Sequence, residues 1–185
     1  TTINNELFKG ASKLATVTMG SGVTTIGDYA FQSSGRDESV SEQTITLGPN
    51  VENIGAYAFD GCNHLTAIDL GTKLTAIPDN AFYNCSALTS ITIPASVESV
   101  GGQAFQGTTL TSITIEDSEN ALVWSGGFYH PLFNLSTSYE LNLGRDLTTE
   151  GDRSYFPGAM SVVIGDKVTT INNELFKGAS KLATV

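Results

Sequence analysis

Leu88-Thr89-Ser90-Ile91-Thr92-Ile93-Pro94-Ala95-Ser96-Val97-Glu98-Ser99-Val100-Gly101-Gly102-Gln103-Ala104-Phe105 is the stretch whose reading decides the fold. Its first half, Leu88-x-x-Ile91-x-Ile93, alternates apolar and hydroxyl residues, the period-two signature of a strand buried on one face. Pro94 cannot continue a ladder and suits a corner. The second half, Val97-x-x-Val100-Gly101-x-x-Ala104-Phe105, is too short for a stable α-helix. It reads as a short extended segment, a turn and a single tight 3₁₀-like turn.

The phrase recurs in both directions along the chain. Its strand half returns as Leu14-x-x-Val17-x-Met19, Leu65-x-x-Ile68-x-Leu70 and Leu110-x-x-Ile113-x-Ile115, and in part as Ile45-x-Leu47, Leu141-x-Leu143 and Val162-x-Ile164. Its closing phenylalanines fall at Phe8, Phe31, Phe59, Phe82, Phe105, Phe133, Phe156 and Phe176, and the steps from Phe59 to Phe82 and from Phe82 to Phe105 are both 23 residues. A period in the twenties marks a solenoid, in which a unit too small to bury its own apolar face is stacked on copies of itself. Residues 1–185 are therefore expected to form one repeat solenoid of about eight coils, β-rich with short 3₁₀ turns and little α-helix. Phe should stack on Phe and Ile on Ile, with neighbouring strands about 4.8 Å apart.

Composition narrows the function. The formal net charge is −10, and only nine Lys and Arg are present. They are scattered, which argues against a nucleic-acid partner, since phosphates demand clustered bases. No apolar run approaches the ~20 residues needed to cross a bilayer, so the chain is not membrane-spanning. No basic, apolar leader opens it, and any export signal is expected outside this fragment. Cys62 and Cys85 both lie three residues after a repeat phenylalanine, where other coils carry Ala11, Ser34, Thr108 and Ala159. The slot is a tight corner; it suits a buried thiol, and a bridge between stacked coils is also open. Two cysteines with no ladder of histidines give no metal site, and nothing calls for a cofactor.

Residues 1–17 reappear without change as residues 169–185, 168 positions later. A coil shape alone would conserve the apolar positions, not Asn4, Lys9 and Lys13 as well. Duplication of a longer unit explains the identity, and so does an artificial one. The chain begins and stops in mid-coil with no polar cap, as an excised piece of a longer array would. Uncapped ends favour head-to-tail stacking between molecules.

Two segments break the period. Residues 32–43 are polar and too long, and read as a solvent loop. Residues 116–132 form an irregular insertion holding Trp124 with Phe128, Tyr129 and His130 around a Gly-Gly pivot. Insertions in repeat proteins often sit on a binding face, and Trp and Tyr are favoured anchors, so these four are candidate ligand contacts. The competing reading is that the aromatics plug a gap where regular rungs are missing. The open strand face supplies further candidates, Thr46, Asp69, Thr92, Thr114 and Asn142, in a hydroxyl-rich ribbon. Threonine is equally a good exposed strand residue with no further role.

The string Leu-Thr-Ser-Ile-Thr-Ile-Pro-x-Ser-Val-x-x-Ile-Gly-x-x-Ala-Phe-x-x-Cys resembles the bacterial surface leucine-rich repeats called the BspA-like or Treponema-type class. The match covers nearly the whole chain and is weakest at 116–132 and 148–160. The resemblance implies a right-handed solenoid with a parallel sheet on its concave side, in a secreted or cell-wall-attached bacterial protein linked to adhesion. It also occurs in parasitic protists, where Asn84-Cys85-Ser86 and Asn134-Leu135-Ser136 could accept glycans. It carries over no catalytic residue. With only His64 and His130, and no nucleophile elbow or phosphate loop, an enzyme is not expected. The expected role is an extracellular or cell-surface module binding a host or bacterial surface protein or glycan; the alternative is a passive spacer that displays a distal domain.

Overall fold

Among the described residues, backbone hydrogen bonds run from coil to coil at three places around the turn, and these three ladders define the architecture. The structure, a computed structural model, describes residues 1–125, 138–149, 156–172 and 175–185. In chain order its strands are β1 Thr2–Ile3, β2 Thr16–Thr18, β3 Thr25–Ile26, β4 Thr44–Thr46, β5 Asn53–Ile54, β6 Ala76–Ile77, β7 Ser90–Ile93, β8 Ser99–Val100, β9 Ser112–Ile115, β10 Leu122–Trp124, β11 Tyr139–Leu143, β12 Leu147–Thr149 and β13 Ala159–Ile164. No helix occurs among the described residues. Every pairing between these strands is parallel, and alternate strands pair with each other.

The Leu-x-x-Ile-x-Ile phrases form the first ladder, as β2–β4 and as β7–β9–β11–β13. Between the two sheets lies the coil of Leu65 and Ile68, which has no strand; it meets the coil of β4 through the parallel bridge Gln43–Leu65 and that of β7 through Thr89 N donating to the carbonyl of Thr66 at 3.4 Å. The Val-x-x-Ile phrases form a second ladder of shorter strands, β1–β3–β5 and β6–β8–β10–β12. Glycine follows the isoleucine in this phrase because coils approach closely there. A Cβ at Gly55 would run into the backbone of Asp28, and one at Gly101 into that of Asp79. The same aspartates accept from the next coil, Asp28 Oδ1 from Ala56 N at 2.9 Å and Asp79 Oδ1 from Gly102 N at 2.6 Å.

The third ladder lies in the Ala-Phe turn. Tyr57, Phe59 and Gly61 donate to the carbonyls of Asp79, Ala81 and Tyr83 in the following coil, at 3.3, 2.9 and 2.7 Å. The residues between them turn inward instead: Ala58 donates to Gly55, Asp60 to Tyr57 and Cys62 to Phe59. Alternate N–H groups thus serve the stack and the turn, which satisfies the backbone of a segment with no regular structure. This differs from the expected 3₁₀ turn. Three-residue bonds do close, but Tyr29, Tyr57, Asn80 and Gln103 hold φ near +57°, so the segment is a chain of β-turns and not a helix.

Inside the coils the expected rungs stack. Phe31–Phe59, Phe59–Phe82 and Phe82–Phe105 have ring centroids 5.4, 5.2 and 5.6 Å apart and planes within 3° of parallel. Each ring is fully buried, and each such burial contributes about 1.5–3 kcal/mol. Phe133 lies outside the described residues. Cys62 and Cys85 are free and buried. Their thiols donate to the carbonyls of Phe31 and Phe59, one coil back, at 3.2 and 3.1 Å. Burial pushes the Cys62 thiol up to about 12 and raises Cys85 as well, so both stay protonated.

Residues 32–43 do not simply bulge into solvent. Val40 and Gln43 are buried, and Gln43 Nε2 donates to the carbonyl of Leu14 and to Ser34 Oγ, both at 2.9 Å. The added length folds back over the first two coils because Gly35 and Asp37 donate to the carbonyls of Ala11 and Ser12.

Candidate binding face

Period-two alternation decides which side chains a strand offers. In the first ladder Ile45, Ile91, Ile93, Ile113, Ile115, Leu141 and Leu143 point inward and are buried. Their neighbours point out. The register then sets those neighbours in rows: Thr18 beside Thr46, Thr92 beside Thr114, Thr114 beside Asn142, and Asn142 beside Val163. A parallel row runs Ser90, Ser112, Glu140, Ser161. Asp69 holds the corresponding position between buried Ile68 and Leu70, outside any strand, with Oδ1 accepting from Gly71 N at 2.9 Å.

Five of the sequence candidates therefore fall along one face. Thr46, Asp69 and Thr92 are exposed, while Thr114 and Asn142 are half-buried and joined by an Nδ2 to Oγ1 hydrogen bond of 3.2 Å. The face carries hydroxyls, an amide and two carboxylates, Asp69 and Glu140, and no basic residue. β-branched threonine suits this pleated surface, which is why the sequence builds it so regularly.

Trp124 does not belong to the face. It is fully buried on β10, opposite Val100 and Thr149, and its ring lies 5.6 Å from that of Phe156. It fills the rung that Ile54, Ile77 and Val100 fill in earlier coils, so it presents no ring to a ligand. Phe128, Tyr129 and His130 lie outside the described residues, as do positions 126–132 of the insertion. The described part of the insertion keeps the backbone pattern, since β10 extends the second ladder.

Sequence reasoning passed over Met160. β13 shifts register between the partners of Tyr139 and Glu140, which leaves Met160 as an extra residue and turns it outward. Met160 is 40 % and Val163 59 % exposed, an apolar pair at one end of the hydroxyl rows. The only hint in the sequence is Ala-Met-Ser-Val-Val-Ile, where the apolar alternation slips by one.

Elsewhere, Ser33, Arg36, Asp60, Asn63, Asn84 and Ser86 line an open furrow of about 410 Å³, and Ser33 and Asn84 among them also hold positive φ. It is polar and has no apolar wall of the kind ligand pockets use. Among the described residues no group of three His, Cys, Asp or Glu side chains is gathered to hold a metal.

Comparison with known proteins agrees with this geometry. The model of the BspA type leucine rich repeat region matches residues 1–125 in six copies. A leucine rich repeat protein of T. pallidum is similar in structure, with a TM-score of 0.63 and 22% identity over 98% of this chain and 71% of that one. A leucine-rich repeat protein from Bacteroides ovatus gives a TM-score of 0.55 at 20% identity, over 99% of this chain and 51% of its own. The pneumococcal vaccine antigen PcpA gives 0.58 at 18% identity, over 91% of this chain and 39% of its own. These likenesses concern the fold. A search of the curated proteins finds no match. The six repeat copies, together with the ladders they build, show that the chain belongs to the BspA-type leucine-rich repeat family.

Proposed function

We propose that the chain is a secreted or cell-surface binding module whose ribbon of Thr46, Asp69, Thr92, Thr114 and Asn142 meets a host or bacterial surface protein or glycan. The register of the first ladder carries this reading: it sets outward hydroxyl and amide groups at constant spacing on a rigid frame. Such a surface offers many modest hydrogen bonds, each worth about 0.5–1.5 kcal/mol, instead of one deep anchor. Extended repeat surfaces of this kind serve binding, and the reading assigns no catalytic residue. The apolar pair Met160 and Val163 would supply the one desolvated contact.

A passive spacer is the second reading, favoured by the lack of any aromatic side chain in the outward rows. Binding of the purified protein to glycan arrays and extracellular-matrix proteins separates the two. The double variants Asp69→Lys/Thr92→Lys and Met160→Ser/Val163→Ser are expected to weaken any captured partner at least tenfold. Unchanged capture by both variants contradicts the ribbon, whereas no capture by the unmodified protein leaves the spacer.

A further inference from the structure

Two of the three ladders lose a donor between the coil of Phe59 and the coil of Phe82. In the second ladder one bond recurs from coil to coil: Gly27 donates to the carbonyl of Ile3, Gly55 to that of Ile26 and Gly101 to that of Ile77, at 2.8, 2.8 and 2.7 Å. In the coil between Gly55 and Gly101 that position is Pro78. Proline has no N–H to give, so the carbonyl of Ile54 goes without this donor. Among the described residues no pairing joins β5 to β6, and Thr75 N donating to the carbonyl of Glu52 at 3.4 Å is what remains of the ladder there. In the first ladder the residue after a strand plays the same part. Glu116, Gly144 and Gly165 donate to the carbonyls of Ile93, Ile115 and Leu143 at 3.0, 2.8 and 2.8 Å. Gly71 holds this place in the coil of Phe82, but its N–H is taken by Asp69 Oδ1 at 2.9 Å. Across the next joint only the first ladder is short, since Pro94 lacks the N–H while β6 pairs with β8. The third ladder runs through both joints. Phe59 and Gly61 donate to the carbonyls of Ala81 and Tyr83 at 2.9 and 2.7 Å, and the ring of Phe59 lies parallel to that of Phe82.

The coils of Phe59 and Phe82 are thus joined firmly along one edge. Along the other two, surface side chains span the joint: Lys73 Nζ donates to Asn50 Oδ1 at 2.7 Å, and Thr66 Oγ1 donates to Glu42 Oε1 at 2.8 Å. An open cleft of about 480 Å³ lies at the split, with Glu52 and Asn53 on one wall and Thr72, Lys73 and Thr75 on the other. We infer that the solenoid is hinged between these two coils, with the turn ladder and the phenylalanine stack as pivot and the two side-chain bonds as latches. Regions with few protected backbone bonds open first, and hinge motion gathers where two rigid units meet. The units here are the paired strands β1–β3–β5 and β2–β4 before the joint, and β6–β8–β10–β12 and β7–β9–β11–β13 after it. The tilt is small, because Ile54 and Ile77 share one core and parting them would expose apolar surface. It turns Thr46, on one side of the joint, against Asp69 and Thr92 on the other, and so sets the curvature of the outward rows. The hinge stands whether or not those rows bind a ligand.

Spin labels at matched separations in the full chain test it. Thr46 and Thr92 stand two coils apart across the joint, as Thr92 and Asn142 do within the sheet β7–β9–β11. The native thiols are buried, so Thr46→Cys/Thr92→Cys and Thr92→Cys/Asn142→Cys take label at the new sites. At a separation of about 10 Å, dipolar broadening reads the spread of distances. The first pair is expected to show about twice the spread of the second. Adding Pro78→Gly, which returns a donor to the carbonyl of Ile54, should narrow the first pair and leave the second alone. Adding Lys73→Met, a surface change that keeps the backbone intact, should widen the first pair alone. Either response confined to the first pair supports the hinge. Equal spreads in the two pairs overturn it. So does a broad first pair that neither change alters, or a change that moves both pairs alike, since the spread then belongs to the labels or to the whole stack.

Discussion

Arg145 is the only charged side chain fully buried among the described residues. Its guanidinium donates through Nη2 to the carbonyl of Pro94 at 2.8 Å and through Nη1 to that of Ala95 at 3.0 Å, some 50 positions upstream. Those carbonyls sit at the corner where the proline ends β7. Burial lowers the pKa of the guanidinium and neighbouring Glu116 opposes that shift. Arginine nonetheless stays charged because its ordinary value is so high. Replacing it by Met keeps the volume and leaves two inward carbonyls without this donor. Arg145→Met is expected to lower the unfolding free energy by about 1.5–3 kcal/mol, the range for hydrogen bonds to charged groups. Urea denaturation with an unchanged midpoint would contradict that role.

The ladders differ in how far the sequence announced them. The strand half of each coil was legible because Ile and Thr alternate with period two, and Ile91, Ile93, Ile113 and Ile115 are indeed inside. The turn ladder was not. Tyr29, Tyr57, Asn80 and Gln103 share positive φ without sharing a residue type, since the carbonyls of the next coil impose the conformation. For Trp124 the sequence left both a ligand contact and a gap filler open, and its full burial agrees with the second. Leu122-Val123-Trp124 does alternate inward and outward, but an apolar Val in the outward place hid the period. The hydroxyl rows were readable in position, while the bulge at Met160 depends on pairing that no local pattern reveals. At this scale Asp146 also governs the last coil. Its carboxylate accepts from the backbone N–H groups of Thr169 and Thr170 and from the Thr169 hydroxyl, which holds its pKa below the usual carboxylate range. A folded value below the unfolded one means the stabilisation is present at neutral pH and is lost as acid protonates the group. Hydrogen exchange at Thr169–Asn172 should therefore accelerate below about pH 4, ahead of exchange in β7 and β9. Asp146→Asn should show the faster exchange already at neutral pH; simultaneous acceleration of all strands would contradict a local lock.

For the molecule as a whole, buried apolar side chains form one cluster running from Met19 to Leu175. Stability should then be a sum of coil and neighbour terms. Phe82 lies between two stacked rings and Phe8 against one. Phe82→Ala is expected to cost about 3–5 kcal/mol, and Phe8→Ala clearly less because that site is already partly open to water. Equal losses in thermal or urea unfolding would mean that rungs do not add as neighbours. The most direct test of the stack is a distance measurement between spin labels on the outward rows. Thr46 and Asn142 stand four rungs apart, and Thr18 and Val163 six, while Cys62 and Cys85 are shielded from labelling. At about 4.8 Å per rung, the Thr46→Cys/Asn142→Cys pair should centre near 19 Å and the Thr18→Cys/Val163→Cys pair near 29 Å, allowing for the label arms. Distances that grow with rung number confirm coils piled on one axis, whereas two pairs at the same separation, or in reversed order, contradict it.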